Sequence, residues 1–277
     1  MIAWAAPARR PLWRQPVTVA ALTWLAVVGV GVLLAPLLSP WGPLEADTAH
    51  SLQPPGAGHP LGTDLLGRDM LARLLWGGRR TLGMGLMALA VTVGLGLPTG
   101  LLAGTFGGPV EAVLMRLVDA LLAFPSLLLA MLIVARLGRG IGPVAVAVGL
   151  ATAPTYARMV YSVTRDVRAQ PYIDAATAVG CTPWRLIVRH ILPNAAPPLI
   201  TYAATRLGRV LLHGAAFNYL GLGVRPATPE WGMLLATGQQ YMRDAPWVSA
   251  FPGLALTLTV LAANLVGDGL QESLRRR

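Results

Sequence analysis

Lysine is absent from the 277-residue chain, so all 22 basic residues are arginine. A Walker A loop sets a lysine against the β- and γ-phosphates of its nucleotide, and without lysine no such loop exists. If ATP drives this protein, a different chain binds it. Cysteine is almost absent too: Cys181 stands alone, which excludes an intrachain disulfide and a cysteine-rich metal site. Charge is scarce at 12% of residues, about half of what a soluble domain of this length carries. No G-x-S-x-G or H-E-x-x-H pattern occurs, so neither a serine elbow nor a zinc helix is present.

What fills the chain instead is apolar: 55% of residues are hydrophobic and the mean hydropathy is +0.58. Several runs exceed the ~18 residues that mark a membrane helix. The chain reads as all-α, a polytopic membrane protein with six transmembrane helices near 17–38, 82–106, 117–136, 141–162, 196–221 and 247–267. Gly94, Gly96, Pro98, Pro125 and Pro154 fall inside these runs, which a packed membrane bundle tolerates. Arg9, Arg10 and Arg14 precede the first run as in a signal peptide. That run is too long for an h-region and no A-x-A-like site closes it, so it reads as a retained helix. The net charge of +10 is scattered between the apolar runs, without the basic stripe that nucleic acid requires.

An even number of spans puts both termini on one side, together with 163–195, and the arginine bias makes that side cytoplasmic. The expected organisation is a cytoplasmic N-terminus (1–16), a first helix (17–38), an extracytoplasmic segment (39–81), a five-helix core (82–270) and a cytoplasmic tail (271–277). Within 39–81, Leu61–Trp76 reads as a turn followed by a short amphipathic helix, with Leu66, Met70, Leu71, Leu74 and Leu75 near a 3–4 spacing.

The segment 170–193 is punctuated like two short helices. Pro171 suits a first helical turn, Ala175, Ala176 and Ala178 favour its body, and Gly180 suits the C′ position that ends it. Thr182 fits an N-cap with Pro183 at N1, and Pro193 is expected to limit the second helix. The result is a compact knob between two spans.

This knob resembles the EAA loop of ABC importer permeases: Asp174-Ala175-Ala176, then Gly180, then Ile191-Leu192-Pro193. Asp174 stands where that family has Glu, which keeps the charge and shortens its reach. Further matches follow in family order: His59-Pro-Leu-Gly-Thr-Asp64 with Gly67-Arg68-Asp69, Ala123-Phe-Pro-Ser126, Tyr219–Val224, Glu230-Trp-Gly232, Phe251–Ala255 and Asn264–Gly269. Together they are similar to the second, C-type permease of the dipeptide/oligopeptide/nickel branch. The resemblance implies a permease subunit of the bacterial inner membrane that is not itself an enzyme. It implies a second homologous permease, two ATPase subunits that hold ATP and Mg, and an extracytoplasmic solute-binding protein. It also implies no cofactor on this chain. Asp174, Ala175, Ala176, Gly180, Pro183 and Arg185 would form the ATPase-coupling surface.

The fifth run carries Arg206 and Arg209 near its midpoint, with Tyr202 and His213 on the same helical face. An arginine at a helix centre costs about 2.5–3.5 kcal/mol to insert, so this face is turned away from lipid. We assign Tyr202, Arg206, Arg209, His213 and Asn218 to a translocation path favouring an anionic solute. The alternative is a structural pair between these arginines and Asp119. His213 resembles the nickel-transporting members, yet no other histidine is spaced to share a metal with it. Small peptides and metal–chelator complexes with carboxylates both suit the arginines. A proton-coupled secondary transporter and a membrane-embedded enzyme are the competing classes.

Overall fold

The computed structural model describes residues 16–274. The arginines at 9, 10, 14 and 275–277 that entered the orientation reading lie outside them. The helices are α1 (Pro16–Leu33), α2 (Ala35–Leu38), α3 (Met70–Phe106), α4 (Gly108–Leu122), α5 (Ser126–Leu137) and α6 (Ile141–Arg168). They continue as α7 (Pro171–Ala178), α8 (Pro183–Leu186), α9 (Leu192–Tyr219), α10 (Trp231–Gly238) and α11 (Trp247–Leu274). No β-sheet forms among the described residues. Helices α1, α3 and α11 are long and apolar enough to cross a membrane. The bent pair α4–α5 makes a fourth candidate.

The centre of the bundle is the contact between α3 and α6, built on small residues. A Cβ added at Gly100 would land 2.5 Å from the Ala157 carbonyl oxygen, and one at Gly104 would land 2.6 Å from Thr164 Cγ2. Gly149 returns the favour from α6, where an added Cβ would meet the Ala88 carbonyl at 2.7 Å. Such spacing of small residues lets two backbones approach, which is how helices gain packing where no hydrophobic effect separates lipid from side chain. Thr92 and Thr152 share a hydrogen bond of 2.6 Å across this contact. Around it α5 packs on the N-terminal half of α6, α9 on α3 and α6, and α11 on α9, with α1 against α11.

Three expectations change. The short amphipathic helix within Leu61–Trp76 is instead the start of α3, which continues unbroken for 37 residues. At 1.5 Å per residue this is about 55 Å, far longer than the ~30 Å hydrocarbon layer. The helix does not stop at Gly77-Gly78 because both glycines lie against Trp231, where an added Cβ would come within 3.3 and 2.7 Å of its ring. Next, the run 117–136 is no single rod. Pro125 has no N–H to offer the preceding turn, and α4 and α5 meet there at 92°. Finally, Pro193 does not end a helix. A π-turn at Ile187–Ile191 joins α8 to α9, with the Leu192 N–H reaching the Ile187 carbonyl. The wider turn accommodates the missing donor of Pro193, and Asn194 Nδ2 donates to the His190 carbonyl at 2.6 Å.

At the end opposite the knob, Asp64 and Asp69 organise the 39–69 segment. Asp64 Oδ1 accepts from the N–H groups of Leu66 and Arg68 at 2.9 and 3.0 Å, and its Oδ2 accepts from Arg68 Nε at 2.7 Å. Asp69 caps α3, accepting from the Ala72 N–H at 2.7 Å, and meets His59 Nδ1 at 3.0 Å. Trp247 Nε1, at the start of α11, donates to the Thr63 carbonyl at 3.0 Å.

Candidate functional site: the knob and the arginine cavity

Pro171 opens α7 as its first residue, and Gly180 closes it at φ +86°. The Gly180 N–H donates to the Thr177 carbonyl at 3.0 Å, and the Cys181 N–H donates to the Ala176 carbonyl at 3.0 Å. This pair of bonds is a Schellman motif, which satisfies the last carbonyls of α7 and turns the chain sharply. Ala176 and Cys181 pack side by side on one apolar cluster, the contact that usually accompanies the motif. Thr182 takes the extended N-cap backbone and its carbonyl accepts from the Leu186 N–H at 2.9 Å, but its hydroxyl caps nothing.

The root of the knob is apolar and buried. Ile173, Leu186 and Ile191 enter a cluster with Leu101 of α3, Val160 of α6 and Leu199 of α9. Movement of the knob is therefore tied to three long helices rather than to a hinge loop. Its other side stands free: Asp174, Ala175, Gly180, Pro183 and Arg185 are exposed, while Ala176 is half-buried. Sequence reading missed the most telling surface, the apolar crest. Val179 is 86% exposed and Trp184 66%, with Tyr172 and Val188 beside them. Exposed large apolar groups clustered on a polar-flanked knob mark a docking surface.

A second polar seam locks the neighbouring end of α4 onto α6. Tyr161 donates to the Glu111 carboxylate, and Arg165 Nη1 donates to Tyr161 Oη at 3.0 Å. One face further along, Asp119 pairs with Arg158. The structural alternative for the arginines of α9 thus finds Asp119 already engaged by α6.

Arg206 and Arg209 open instead onto a cavity of about 420 Å³ between α9 and α11. Its walls include Tyr202, Thr205, Asn264 and Asp268. Arg206 donates to Tyr202 Oη and lies over the same ring at 4.5 Å from its centroid. Tyr202 is itself stacked on Tyr156 of α6 at 6.0 Å. Such a guanidinium–ring contact fixes the arginine without neutralising it. Three of the expected path residues therefore meet in one cavity.

His213 and Asn218 do not line it. His213 is half-buried one turn beyond Arg209. Asn218 is fully buried, its Oδ1 accepting from the Val224 N–H at 3.0 Å and its Nδ2 donating to Met84 Sδ at 3.6 Å. Its place is to pin the turn that follows α9. Among the described residues, no three His, Cys, Asp or Glu side chains converge to hold a metal ion.

Glu230 opens the Glu230-Trp-Gly232 motif. It is fully buried and caps α10, accepting from the Met233 N–H at 3.0 Å and from Thr81 Oγ1 of α3 at 2.7 Å. Burial raises its pKa above the ordinary glutamate value.

Residues 96–277 match the family model described as the binding-protein-dependent transport system inner membrane component. The dipeptide transport system permease protein DppC of Alkalihalophilus pseudofirmus is 37% identical over 270 residues, covering 95% of this chain and 89% of that one. The glutathione transport system permease protein GsiD of Pectobacterium atrosepticum is 38% identical over 273 residues, covering 96% and 88%. Among solved structures, an inward-facing MetNI methionine ABC transporter chain superposes with a TM-score of 0.62 at 21% identity, over 74% of this chain and 97% of that one. With its long apolar helices and its match along nearly the whole length of these permeases, the chain belongs to the family of inner-membrane components of binding-protein-dependent transport systems.

Proposed function

We propose that this chain is one of two permeases in an ABC importer for small peptides, with six spans and both termini cytoplasmic. The observation that supports this most is the knob at 171–191: a rigid, capped projection rooted on Ile173 with an apolar crest that no described residue covers. Helices α6 and α9, each 28 residues, supply the remaining two spans. At ~1.5 Å per residue both are long enough, and their arginines are what lowers their hydropathy.

In this reading one of two ATPase subunits receives the crest in a groove, around Asp174, Ala175, Ala176, Gly180, Pro183 and Arg185. ATP and Mg act there and not on this chain. Closure of the ATPases moves the knob, and through Ile173 and its neighbours moves α3, α6 and α9 together. A loaded binding protein docks at the opposite face, on 39–81 and 222–246. The partners shift the equilibrium because each prefers one of the two open states. Tyr202, Arg206 and Arg209 face the path that the second permease completes, and their fixed positive charge favours carboxylate-bearing cargo. Peptides fit that charge, as do metal–chelator complexes.

The test is uptake by proteoliposomes holding this chain, its partner permease and both ATPases. ATP-dependent uptake of dipeptides that needs the binding protein, and that falls in Arg206→Gln and Arg209→Gln with normal accumulation of the variants, is the expected result. Undiminished uptake by both variants removes them from the path. Uptake driven by a proton gradient without ATP establishes a secondary transporter instead.

A further inference from the structure

The cavity between α9 and α11 holds charges of both signs. Arg206 and Arg209 lie on one of its walls and Asp268 on the other. The cavity is open on one side: Arg209 and Asp268 are exposed and Arg206 is half-buried. Here, among the described residues, Asp268 forms no ion pair or hydrogen bond with either arginine, and Arg209 has no acidic partner. Both charges remain available to a third party.

The register of the two helices gives their separation. Gly267 of α11 lies against Thr205, where an added Cβ would meet the Thr205 backbone at 2.9 Å, and Gly208 lies against Asn264 and the Val260 carbonyl. The helices are antiparallel, so Arg209 stands level with about residue 263, and Asp268 sits about five residues nearer the knob. At 1.5 Å per residue the backbone offset along the axis is ~7.5 Å from Arg209 and, since Arg206 stands level with about residue 266, ~3 Å from Arg206. An extended chain of two residues spans at most about 7 Å.

Between the charged ends the cavity is polar but neutral. Thr205 Oγ1 donates to the Tyr202 carbonyl at 2.9 Å, which leaves its lone pairs to accept. Asn264 adds one acceptor and an amide donor. A peptide bond needs one donor and one acceptor.

Resting on the reading of Tyr202, Arg206 and Arg209 as a path wall, we propose that this cavity is a dipolar subsite for a short zwitterion. The carboxylate meets Arg206 and Arg209, and the ammonium meets Asp268, so cargo passes with its amino end leading toward the knob. Asp268 is then the residue that distinguishes a free amine from a blocked one. A purely anionic cargo would leave Asp268 facing like charge.

The test reads the field of the cavity directly, in the full chain assembled with its partners in lipid nanodiscs. In a Cys181→Ser background, single cysteines replace Leu212, at the Arg209 end, and Gln271, one turn beyond Asp268. Each is labelled with anionic sulfonatoethyl and cationic trimethylammonioethyl methanethiosulfonate. We expect position 212 to favour the anionic reagent and position 271 the cationic one, by roughly tenfold each relative to free thiol. Arg209→Gln should erase the first preference and Asp268→Asn the second. Millimolar dialanine should slow labelling at both positions, and its N-acetyl, C-amide form at neither. The same reagent favoured at both positions, or equal protection by the two dialanine forms, overturns the dipolar assignment and leaves the path standing. Absence of labelling at both positions overturns the path itself.

Discussion

The Cys181 N–H donates to the Ala176 carbonyl at 3.0 Å, across the single residue that makes this geometry available, Gly180 at φ +86°. An L-residue at such φ costs about 1–2 kcal/mol, and asparagine tolerates it better than others. No atom lies within 4 Å of a Cβ added at Gly180, so a substitution there tests the backbone and nothing else. Gly180→Val should loosen the knob and Gly180→Asn should largely spare it. Hydrogen exchange over 171–192 checks this: faster exchange in the valine variant is expected, with the asparagine variant close to wild type.

The α3–α6 seam gives a contrast between two glycines of one helix. A side chain at Gly100 collides with the Ala157 carbonyl and Val160, whereas nothing lies within 4 Å of a Cβ at Gly94. Gly100→Leu should therefore prevent stable accumulation, because the two backbones cannot separate without losing the helix contact. Gly94→Ala should be neutral or stabilise by up to about 1 kcal/mol through helix propensity. Quantitative membrane immunoblotting with thermal denaturation of the purified chain distinguishes the two.

Glu230 carries a pH signature. Its pKa is raised by burial, so the folded state keeps this proton to a higher pH than the unfolded chain does. The stability it contributes is complete below the unfolded value and declines as pH rises from there toward the folded value. Thermal unfolding from acid to neutral pH should show that decline, and Glu230→Gln should flatten it while retaining an acceptor for the Met233 N–H. Glu230→Ala strips the cap and strands Thr81, and should cost about 1–3 kcal/mol in acid and less as pH rises.

How much of this was legible before the fold depends on how local each signal is. Pro171 at N1 and Gly180 at C′ are read within one helical turn, and α7 begins and ends as they dictate. Pro193 carried an equally local signal and misled, because a π-turn absorbs a missing N–H without ending the helix. Adjacent glycines are poor helix formers, yet contact with Trp231 over 150 residues away in sequence keeps α3 intact through Gly77-Gly78. Gly96, Gly100 and Gly104 announce a close helix contact by their spacing but not which helix answers it. The hydrogen bonds of Asn218 and Glu230 were beyond reach for a related reason: only the fold brings the Val224 N–H to the Asn218 amide oxygen and the Thr81 hydroxyl to the Glu230 carboxylate. The arginine face was legible from period alone, whereas Asp268 across the cavity needed the register of α9 against α11.

The most direct measurement concerns the apolar crest of the knob. Val179 and Trp184 are 86% and 66% exposed, so charging them disturbs no packing within the chain. Coexpressed with its partner permease and ATPases, the Val179→Asp, Trp184→Asp double variant should accumulate normally but lose copurification of the ATPases and solute-stimulated ATP hydrolysis. Copurification of a full complex with undiminished, solute-stimulated ATP hydrolysis would contradict the knob's role as the coupling element.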